Sequence, residues 1–422
     1  MIVVDWLRAP PPDWLMARVC DHAVVLNGYP FDSEQFTTSD GMPLVRIRDI
    51  ASDETEIRYA GEPVTEAIIR RGDILIGMDG DFNVARWKGD DALLNQRVCC
   101  VRPMETVDVR FLAYVLPFPL KLINEFTYST TVKHLSSFDV LKIRFPLPSL
   151  DAQRLIANYL DRETARLDGL VAAKERVLDL LAEKRRALIT RLVPRGLDPH
   201  APLRNSGIPW LGEIPSHWEL IPLRFLVDIV GGATPDTGKA EFSDGDIPWV
   251  SPKDMKRDEI KDAEDHVSPL ALSSSALRLI DPVTVLIVVR GMILAHSFPT
   301  ALTTQPVTIN QDMKALHCRE LLEPHYLRDL LRGLEARLVS IAEESAHGTR
   351  KLESEVLGRF QVCVPPIDEQ RAIVAHIAAE TAKLDALRAG TERTIALLKE
   401  RRAALIAAAV TGRMTAHENT GG

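Results

Sequence analysis

Two long stretches of the chain carry apolar residues at heptad spacing, the pattern of an amphipathic helix that packs along one seam. The first stretch, residues 151–193, contains no proline and is rich in strong helix formers. Pro194 and Gly196 follow it and are expected to end the helix. The predicted seam positions are apolar in both stretches: Leu160, Leu167, Leu178, Leu181 and Leu188 in the first, and Ile377, Leu384, Ile395, Leu398 and Leu405 in the second.

The two stretches are copies of each other. Segment 148–193 returns as segment 365–410, with 22 identities at 46 aligned positions and no gap. Such identity indicates a duplication, and the offset between the copies is 217 residues. The intervening segments repeat more weakly, and their matches are Trp14 with Trp218, Gly41–Val45 with Asp246–Val250, Asn95 with Asn310, and Lys133–Leu135 with Arg350–Leu352.

Outside the helical copies the chain mixes short β-rich runs, turns and short amphipathic segments, which is typical of α+β domains. Asp73–Gly77, Arg97–Val101 and Val283–Val289 are predicted strands. Phe111–Glu125 and Tyr326–Glu344 are predicted helices.

This order of segments predicts two recognition domains of about 150 residues, separated by helical spacers. The domains are 1–147 and 206–363, the spacers are 148–205 and 364–414, and 415–422 is expected to be a disordered tail. Two equal helices in one chain pair most simply with each other, so an antiparallel coiled coil with a pseudo-twofold internal repeat is expected. At 1.5 Å per residue each helix would be about 45–60 Å long and would set the distance between the domains.

Two pairs of polar residues interrupt the predicted seam at matching positions, namely Lys174 with Thr391 and Arg185 with Arg402. The simpler interpretation is that their stems lie along the seam and their polar ends reach water. The alternative is that they fix the register and direction of helix pairing.

Each helical copy opens with an acidic residue followed by a Gln-Arg pair. Asp151 and Asp368 are candidates for capping the helix amides with a carboxylate. A cap does not require the following Gln-Arg, so the same residues are also candidates for a docking surface. The two interpretations are compatible.

Charge excludes a general polyanion binder. The chain has 422 residues and a net charge of -8; segment 1–147 carries -5 and segment 206–363 carries -7. Neither domain therefore resembles a histone-like, non-specific DNA binder. Local basic clusters exist, and each alone fits a solvated surface, but three recur at equivalent places in both copies, which favours a shared role. They are Arg46/Arg48, Lys133-His134, Lys253/Lys256/Arg257 and Arg350-Lys351.

Searches for catalytic chemistry find no zinc-protease, nucleophile-elbow, metal-binding Cys/His or adenosylmethionine-binding motif. Gly232–Ala240 imitates a phosphate loop but has the wrong spacing, and Ala240 stands where a hydroxyl is needed. The five cysteines form no CxxC pair and are expected to be reduced, structural thiols. The longest apolar run is only about seven residues, so no membrane span is expected, and Met1–Asp5 does not resemble a signal peptide.

Several short motifs together resemble one family. They are Ile208–Trp218, Gly231–Pro235, Gly245–Val250, Asn310-Gln311, and Pro365–Arg371 leading into a basic heptad helix. In this combination and order they resemble the specificity (S) subunit of type I restriction–modification systems, and the resemblance covers essentially the whole chain.

The resemblance implies a non-catalytic, cytoplasmic DNA-recognition subunit that reads a split, asymmetric site in double-stranded DNA. Two methyltransferase (M) subunits and further restriction (R) subunits would be its partners, and adenosylmethionine, ATP and Mg would be held by those partners. The expected DNA-facing residues are Arg46, Arg48, Lys133, His134, Lys253, Arg350 and Lys351. The expected partner-facing residues are Gln153, Arg154, Gln370 and Arg371.

A competing hypothesis from another class is a coiled-coil scaffold that displays two protein-binding domains and never touches DNA. The acidic domains favour it, whereas the motifs of the resemblance oppose it. Neighbouring genes for an adenine methyltransferase and a helicase-nuclease would discriminate between the two.

Overall fold

A computed structural model describes residues 10–52, 54–126, 133–236, 238–243, 245–344 and 349–414. The chain forms two compact units: unit 1 comprises residues 1–175 and 392–422, and unit 2 comprises residues 176–391. Each predicted recognition domain lies within one unit. The predicted spacers 148–205 and 364–414 each contain one long helix, and each of these helices is divided between the two units. The predicted tail, 415–422, lies outside the described residues.

Unit 1 is built from short strands and short helices. Its strands are β1 (Leu15–Arg18), β2 (Ala23–Asn27), β3 (Phe36–Thr37), β4 (Met42–Val45), β5 (Arg58–Tyr59), β6 (Ile68–Ile69), β7 (Ile74–Gly77), β8 (Val84–Arg86), β9 (Ala92–Leu94), β10 (Val98–Pro103) and β11 (Arg144–Leu147). Its short helices are α1 (Val19–His22), α2 (Val109–Val115), α3 (Pro117–Phe126) and α4 (Ser137–Lys142), with 3-10 turns η1 (Ser33–Gln35), η2 (Ile47–Asp49) and η3 (Thr65–Ala67). The sheets have the orders β2-β10-β7-β8 and β3-β5-β4-β9-β6, and β1 pairs with β11.

Unit 2 repeats this plan with larger sheets. Its strands are β12 (Leu203–Asn205), β13 (Glu213–Pro215), β14 (Glu219–Pro222), β15 (Val227–Gly231), β16 (Ile247–Val250), β17 (Glu259–Ile260), β18 (His266–Val267), β19 (Val285–Val288), β20 (Arg290–Gly291), β21 (Thr300–Thr303), β22 (Thr308–Ile309), β23 (Met313–Cys318), β24 (Glu343–Glu344), β25 (Arg350–Lys351) and β26 (Gln361–Val364). Its short helices and 3-10 turns are α6 (Ala240–Ser243), α7 (Pro269–Ser274), α8 (Pro324–Gly333), α9 (Glu335–Ile341), α10 (Ser354–Arg359), η4 (Leu223–Phe225), η5 (Pro252–Asp254) and η6 (Met292–Ala295). The main sheet has the order β15-β23-β19-β21-β17, and a second sheet has the order β18-β16-β22.

The apolar runs predicted as strands are confirmed and lie in the cores. Every residue of β7 and β19 is buried, as are the first four residues of β10. The two segments predicted as single short helices are each divided in two. The first divides into α2 and α3 at Leu116, and the second into α8 and α9 at Leu334. Pro117 starts α3 after the first break, and this fits the tolerance of proline in a first helical turn.

The weak repeats correspond to the same structural positions in the two units. In unit 1 the proline-containing strand β4 pairs in parallel with β9, which precedes Asn95. In unit 2 the proline-containing strand β16 pairs in parallel with β22, which precedes Asn310. The amide of Asn95 donates to the Val45 carbonyl at 3.0 Å, and the amide of Asn310 donates to the Val250 carbonyl at 2.9 Å. The weak alignment of these segments is therefore confirmed.

A glycine approaches each of these asparagines so closely that no side chain fits. A Cβ at Gly28 would lie 1.9 Å from the Asn95 carbonyl oxygen, and a Cβ at Gly232 would lie 1.9 Å from that of Asn310. Gly232 therefore allows two backbone segments to touch, which explains a glycine in the segment that imitates a phosphate loop.

The long helices are α5 (Leu150–Arg195) and α11 (Ile367–Val410). At 46 residues α5 is about 69 Å long, somewhat longer than predicted. Pro194 does not end it, because this residue and Arg195 still lie in the last turn. Gly196 ends it instead in a left-handed conformation with φ +72°, and Gly412 follows α11 with the same φ.

Asp151 and Asp368 do not cap the long helices. Both lie inside the first turn, and their side chains are 92% exposed. At the start of α5 the Ser149 hydroxyl takes the capping position and accepts from the amide of Ala152 at 3.4 Å. The two carboxylates still lie near the positive end of the helix dipole, where a negative charge stabilises the helix.

Each unit joins the start of one long helix to the end of the other. The core of unit 1 contains Leu160 from the start of α5 and Ile406 from the end of α11. The core of unit 2 contains Ile377 from the start of α11 and Ile189 from the end of α5. The helices therefore run antiparallel, and each unit completes its core with the helix end that belongs to the other repeat.

None of the ten predicted seam positions is exposed, and their role as a seam stays a prediction. Leu160, Leu167, Ile377, Leu384 and Ile395 are buried, and Leu178, Leu181, Leu188, Leu398 and Leu405 are half-buried. Of the two interpretations offered for the polar interruptions, the structure supports fixed pairing for Arg185 and Arg402. Arg185 Nη1 lies 2.7 Å from Asp385 Oδ1, and Arg402 Nε lies 2.8 Å from Asp168 Oδ1, so both copies of the arginine reach the opposite helix.

Candidate nucleic-acid interface

The predicted DNA-facing residues divide between the units according to their copy. Arg46, Arg48, Lys133 and His134 lie in unit 1, whereas Lys253, Arg350 and Lys351 lie in unit 2. In each unit they occupy two places: a 3-10 turn after the Pro-containing strand, and a short extended segment just before a small helix.

The turn is stabilised from within by an acidic residue. In unit 1 Asp49 accepts from the amide of Arg46 at 3.1 Å and from its guanidinium Nε at 3.0 Å. In unit 2 Asp254 accepts from the amide and hydroxyl of Ser251 at 2.8 and 3.0 Å. Arg46 thus occupies the position of Ser251 and stabilises the turn, and only 19% of its side chain is exposed. Asp49 holds the guanidinium of Arg46 within the turn, and a contact of Arg46 with DNA stays a prediction.

The next cation of the turn points outward in both units. Arg48 is exposed and makes no hydrogen bond or ion pair within the described part of the chain. Lys253 holds the matching position and lies 2.8 Å from Asp265 and 3.1 Å from Glu264. Lys253 donates hydrogen bonds to these two carboxylates, which raise its pKa, so it stays charged while its side chain remains exposed.

The extended segment has the same backbone contacts in both units. Leu135 follows His134, and its amide donates to the carbonyl of Met78 at 2.7 Å; Leu352 follows Lys351 and donates to Val289 at 2.8 Å. The structure therefore brings Lys133-His134 beside the loop after β7, and Arg350-Lys351 beside the loop after β19. Local partners already hold some of these side chains. Lys133 donates to Asn124, His134 Nδ1 lies 2.8 Å from the Asp79 carboxylate, and Lys351 pairs with Glu353.

Arg290 is a further candidate for contact with DNA that is not among the residues predicted from the sequence. It pairs with Lys351 across β20 and β25, it is exposed, and its guanidinium has no partner among the described residues. Met292, which follows two residues later, is 72% exposed. The sequence signal was available, because a lone arginine follows the apolar run Val283–Val289 and precedes a glycine.

The two glutamines predicted to face a partner are buried instead. Gln153 accepts from the amide of Asp108 at 2.8 Å and donates to the Pro148 carbonyl at 2.9 Å. Gln370 accepts from the amide of Glu323 at 2.9 Å and donates to Pro365 at 2.8 Å. Both glutamines therefore tie the start of a long helix to the N-cap residue of a shorter one, and neither is available to a partner.

Arg154 and Arg371 are exposed on the first turns of the long helices. Each lies near the acidic residue of its own turn, at 3.9 Å from Asp151 and 3.5 Å from Asp368. Such exposed pairs contribute little to stability, so both guanidinium groups can exchange partners at small cost. Their role in docking stays a prediction.

No catalytic or metal centre emerges from the described residues. Among them no group of three or more His, Cys, Asp and Glu side chains could hold a metal ion. Burial raises the pKa of Cys99, Cys318 and Cys363 to about 12, so these thiols are not poised as nucleophiles. Within the same residues no helix is both long and apolar enough to cross a membrane.

Comparison with known families gives two matches, one for each repeat. The family described as the Type I restriction modification DNA specificity domain matches residues 11–177 and 215–395. Each match spans one predicted recognition domain and runs into the long helix that follows it. The chain belongs to this family.

Two relatives from Escherichia coli are similar over part of their length. The type I restriction enzyme EcoBI specificity subunit is 37% identical over 192 residues, which cover 45% of this chain and 40% of that protein. The EcoR124I/EcoR124II specificity subunit is 32% identical over 248 residues, which cover 57% of this chain and 55% of that protein. The matched part is thus about half the length of these relatives.

Two solved structures share the fold over nearly the whole chain. A chain from a structural study of complex assembly and conformational transition in a type I R-M system has a TM-score of 0.74, with 20% identity, and the match covers 96% of this chain and 100% of that one. The HsdS subunit from Thermoanaerobacter tengcongensis has a TM-score of 0.53, with 19% identity, and the match covers 97% of this chain and all of that one. At this identity the likeness establishes the two-domain, helix-spaced fold.

Proposed function

We propose that this chain is the DNA-recognition subunit of a type I restriction–modification complex and has no catalytic role of its own. Unit 1 reads one half of a split, asymmetric site, and unit 2 reads the other. The observation that supports this most directly is the pair of family matches, because a DNA specificity domain is matched once in each repeat.

The charge distribution fits recognition by a few side chains better than broad attraction to DNA. With net charges of -5 and -7, the globular segments do not attract the duplex as a whole. Exposed cations on loops, such as Arg48 in unit 1 and Lys253 and Arg290 in unit 2, can instead donate to base edges in the major groove. Base contacts of this kind specify a sequence, while phosphate contacts position the protein.

The antiparallel helices serve as the constant part of the proposed recognition subunit. They hold the two readers at a set spacing along the duplex, and their exposed faces, with Arg154 and Arg371, offer docking positions for two methyltransferase subunits. Restriction subunits join that complex. Adenosylmethionine, ATP and Mg belong to those partners in this proposal, and the complex acts on DNA in the cytoplasm.

Selection from a random duplex library tests this function. The full chain, co-produced with the methyltransferase subunit that this proposal assigns to it, should enrich two short half-sites separated by a fixed gap. The variant that combines Arg350→Ala with Lys351→Ala should weaken the preference for one half-site and leave the other unchanged. Arg359→Ala, which removes an exposed cation from α10, is the matched control.

Enrichment of no sequence by the complex would favour the scaffold alternative, in which the units bind proteins and not DNA. Loss of both half-sites in the Arg350/Lys351 variant would contradict the assignment of one half-site to each unit, provided that the variant unfolds at the wild-type temperature.

A further inference from the structure

Unit 2 contains a basic cleft of about 260 Å³ beside the end of α5. Its walls come from α5, from the residues that follow turn η5, and from the junction of α8 and α9. Five cations line it, namely Arg185, Arg186, Lys256, Arg257 and Arg332, against two carboxylates, Asp258 and Glu335.

Two cations of this cleft pair with a carboxylate, whereas the three exposed cations that form its rim do not. Arg185 and Arg332 both contact Asp258, at 2.8 and 2.9 Å. Burial alone would raise the pKa of Asp258, but Arg332 and, after it, Arg185 outweigh burial and hold that pKa below its ordinary value. Arg186, Lys256 and Arg257 are exposed at the rim, and their side chains have no hydrogen-bond or ion-pair partner among the described residues.

Unit 1 contains a basic cleft at the equivalent place, with a volume of about 520 Å³. Arg402 and Ile406 of α11 line it, and these residues stand 217 positions after Arg185 and Ile189, which line the cleft of unit 2. The other cations are Arg86, Lys88, Arg110 and Lys121, against the single carboxylate of Asp161.

These clefts are exceptions in an acidic molecule. The lining residues carry a formal charge of +3 in unit 2, from five cations and two carboxylates, and +4 in unit 1, from five cations and one carboxylate. Carboxylates outside the lining pair with some of these cations, namely Asp385 in unit 2 and Asp108, Glu125 and Asp168 in unit 1, and they reduce the two charges to +2 and +1. The globular segments as a whole carry -7 and -5. Positive charge gathered at the same place in two diverged copies indicates a ligand that both copies share, and therefore an anion whose recognition does not depend on sequence.

We propose that the two basic clefts bind phosphates of the DNA backbone, one stretch of backbone for each half-site. This inference rests on the proposed function and adds to it the groups that position the duplex. The residues that directly follow the turn carrying Arg48 or Lys253 line the cleft of that unit. A DNA backbone bound in the cleft would therefore leave Arg48 or Lys253 close to the neighbouring groove of the duplex. A phosphate is recognised by charge and hydrogen bonds and carries no sequence information, so the same kind of site can serve both half-sites.

The test uses the full chain with its co-produced methyltransferase and two duplex probes, one that contains the selected site and one that is scrambled. A rim variant combines Arg186→Ala, Lys256→Ala and Arg257→Ala. It should bind both probes at least about tenfold more weakly at 0.1 M salt, because phosphate contacts are lost. Each lost contact should also make the negative slope of log K against log salt shallower by about 0.9. Its preference between the probes should not change.

The matched control removes three exposed cations of unit 2 that do not line the cleft, through Arg176→Ala, Arg224→Ala and Arg359→Ala. Its affinity and salt slope should stay near wild type. A charge-preserving variant, Arg186→Lys with Arg257→Lys, should retain the wild-type slope and would show that the rim acts through charge.

Equal affinity and slope in the rim variant and the control would overturn the inference, while selective binding by the wild type would leave the proposed function intact. Loss of the methyltransferase by the rim variant, with unchanged DNA binding, would also overturn it and would assign the cleft to an acidic protein segment. Wild-type protein that does not distinguish the two probes would contradict the proposed function itself.

Discussion

Two glutamines were predicted from the sequence to lie on a docking surface, but in the fold both are buried and hydrogen-bonded. Gln153 and Gln370 follow exposed acidic residues at the start of a helix, and this position suggested docking. The sequence does not show that a second helix begins beside each of them and needs its N-cap amide satisfied. The amide group of glutamine both donates and accepts, so one buried side chain meets both needs.

Replacing Gln370 by alanine is expected to destabilise unit 2 by about 2 kcal/mol, because it leaves a buried amide and two carbonyls without partners. Denaturant unfolding measures the loss. Arg371→Ala, on the adjacent exposed position, should change stability little. Unchanged stability of the Gln370 variant together with loss of the methyltransferase would restore the docking interpretation.

A buried ion pair in unit 1 should make its stability depend on pH. Arg102 donates to Asp73 at 2.9 Å, and the Asp73 side chain is only 8% exposed. Burial would raise the pKa of Asp73, but the hydrogen bond from Arg102 and that from the Arg70 amide outweigh burial and lower it. A pKa lowered by folding stabilises the folded state above the unfolded value of about 3.9 and loses this effect as pH falls through the folded value.

Asp73→Asn should therefore lower the free energy of unfolding by about 2 kcal/mol at pH 7, and the difference from wild type should shrink as pH falls below about 4. Urea unfolding at pH 7 and pH 3 gives both values. Asp90→Asn removes an exposed partner of Arg71 and serves as the control. A difference that stays constant with pH would contradict this account of Asp73.

At the scale of elements, the long helices were the most predictable part of the chain. Their heptad pattern and the duplication predicted both helices, and the ten positions predicted as the seam are all buried or half-buried. Their ends were less predictable, because Pro194 is tolerated in a last turn and Gly196 supplies the left-handed stop. Which helix ends complete which core could not be predicted either, since it depends on residues far apart in the chain, such as Leu160 and Ile406, meeting in one core.

Glycines inside the long helices offer a direct test of the helical account. Gly169 and Gly390 are exposed, and a Cβ at either position would meet nothing within 4 Å. Gly169→Ala and Gly390→Ala should each stabilise the chain by about 0.5–1 kcal/mol, because glycine is a poor helix former. Thermal or denaturant unfolding measures the gain.

Gly28→Ala is the contrasting variant, since its Cβ would collide with the Asn95 carbonyl oxygen, and it should destabilise unit 1 by about 1–3 kcal/mol. Destabilisation by Gly169→Ala or Gly390→Ala would show that these helix positions are packed against something.

At the scale of the whole molecule, one chain contains the same construction twice. The repeated parts are the helices, the glutamine ties, the arginine pairs between the helices, and the basic clefts. The diverged parts are the loops that carry exposed cations. The sequence indicated this division through its strong and weak repeats. It did not reveal the clefts, because their lining residues come from separate stretches of the chain and gather only in the folded unit.

The division into a constant frame and two variable readers is tested most directly by mapping methylated adenines in a host that produces the chain with its methyltransferase. The map should show one motif with two unlike halves and a fixed gap, and exchange of residues 206–363 for those of a relative should change one half only. A continuous motif, or a change in both halves after that exchange, would contradict the account.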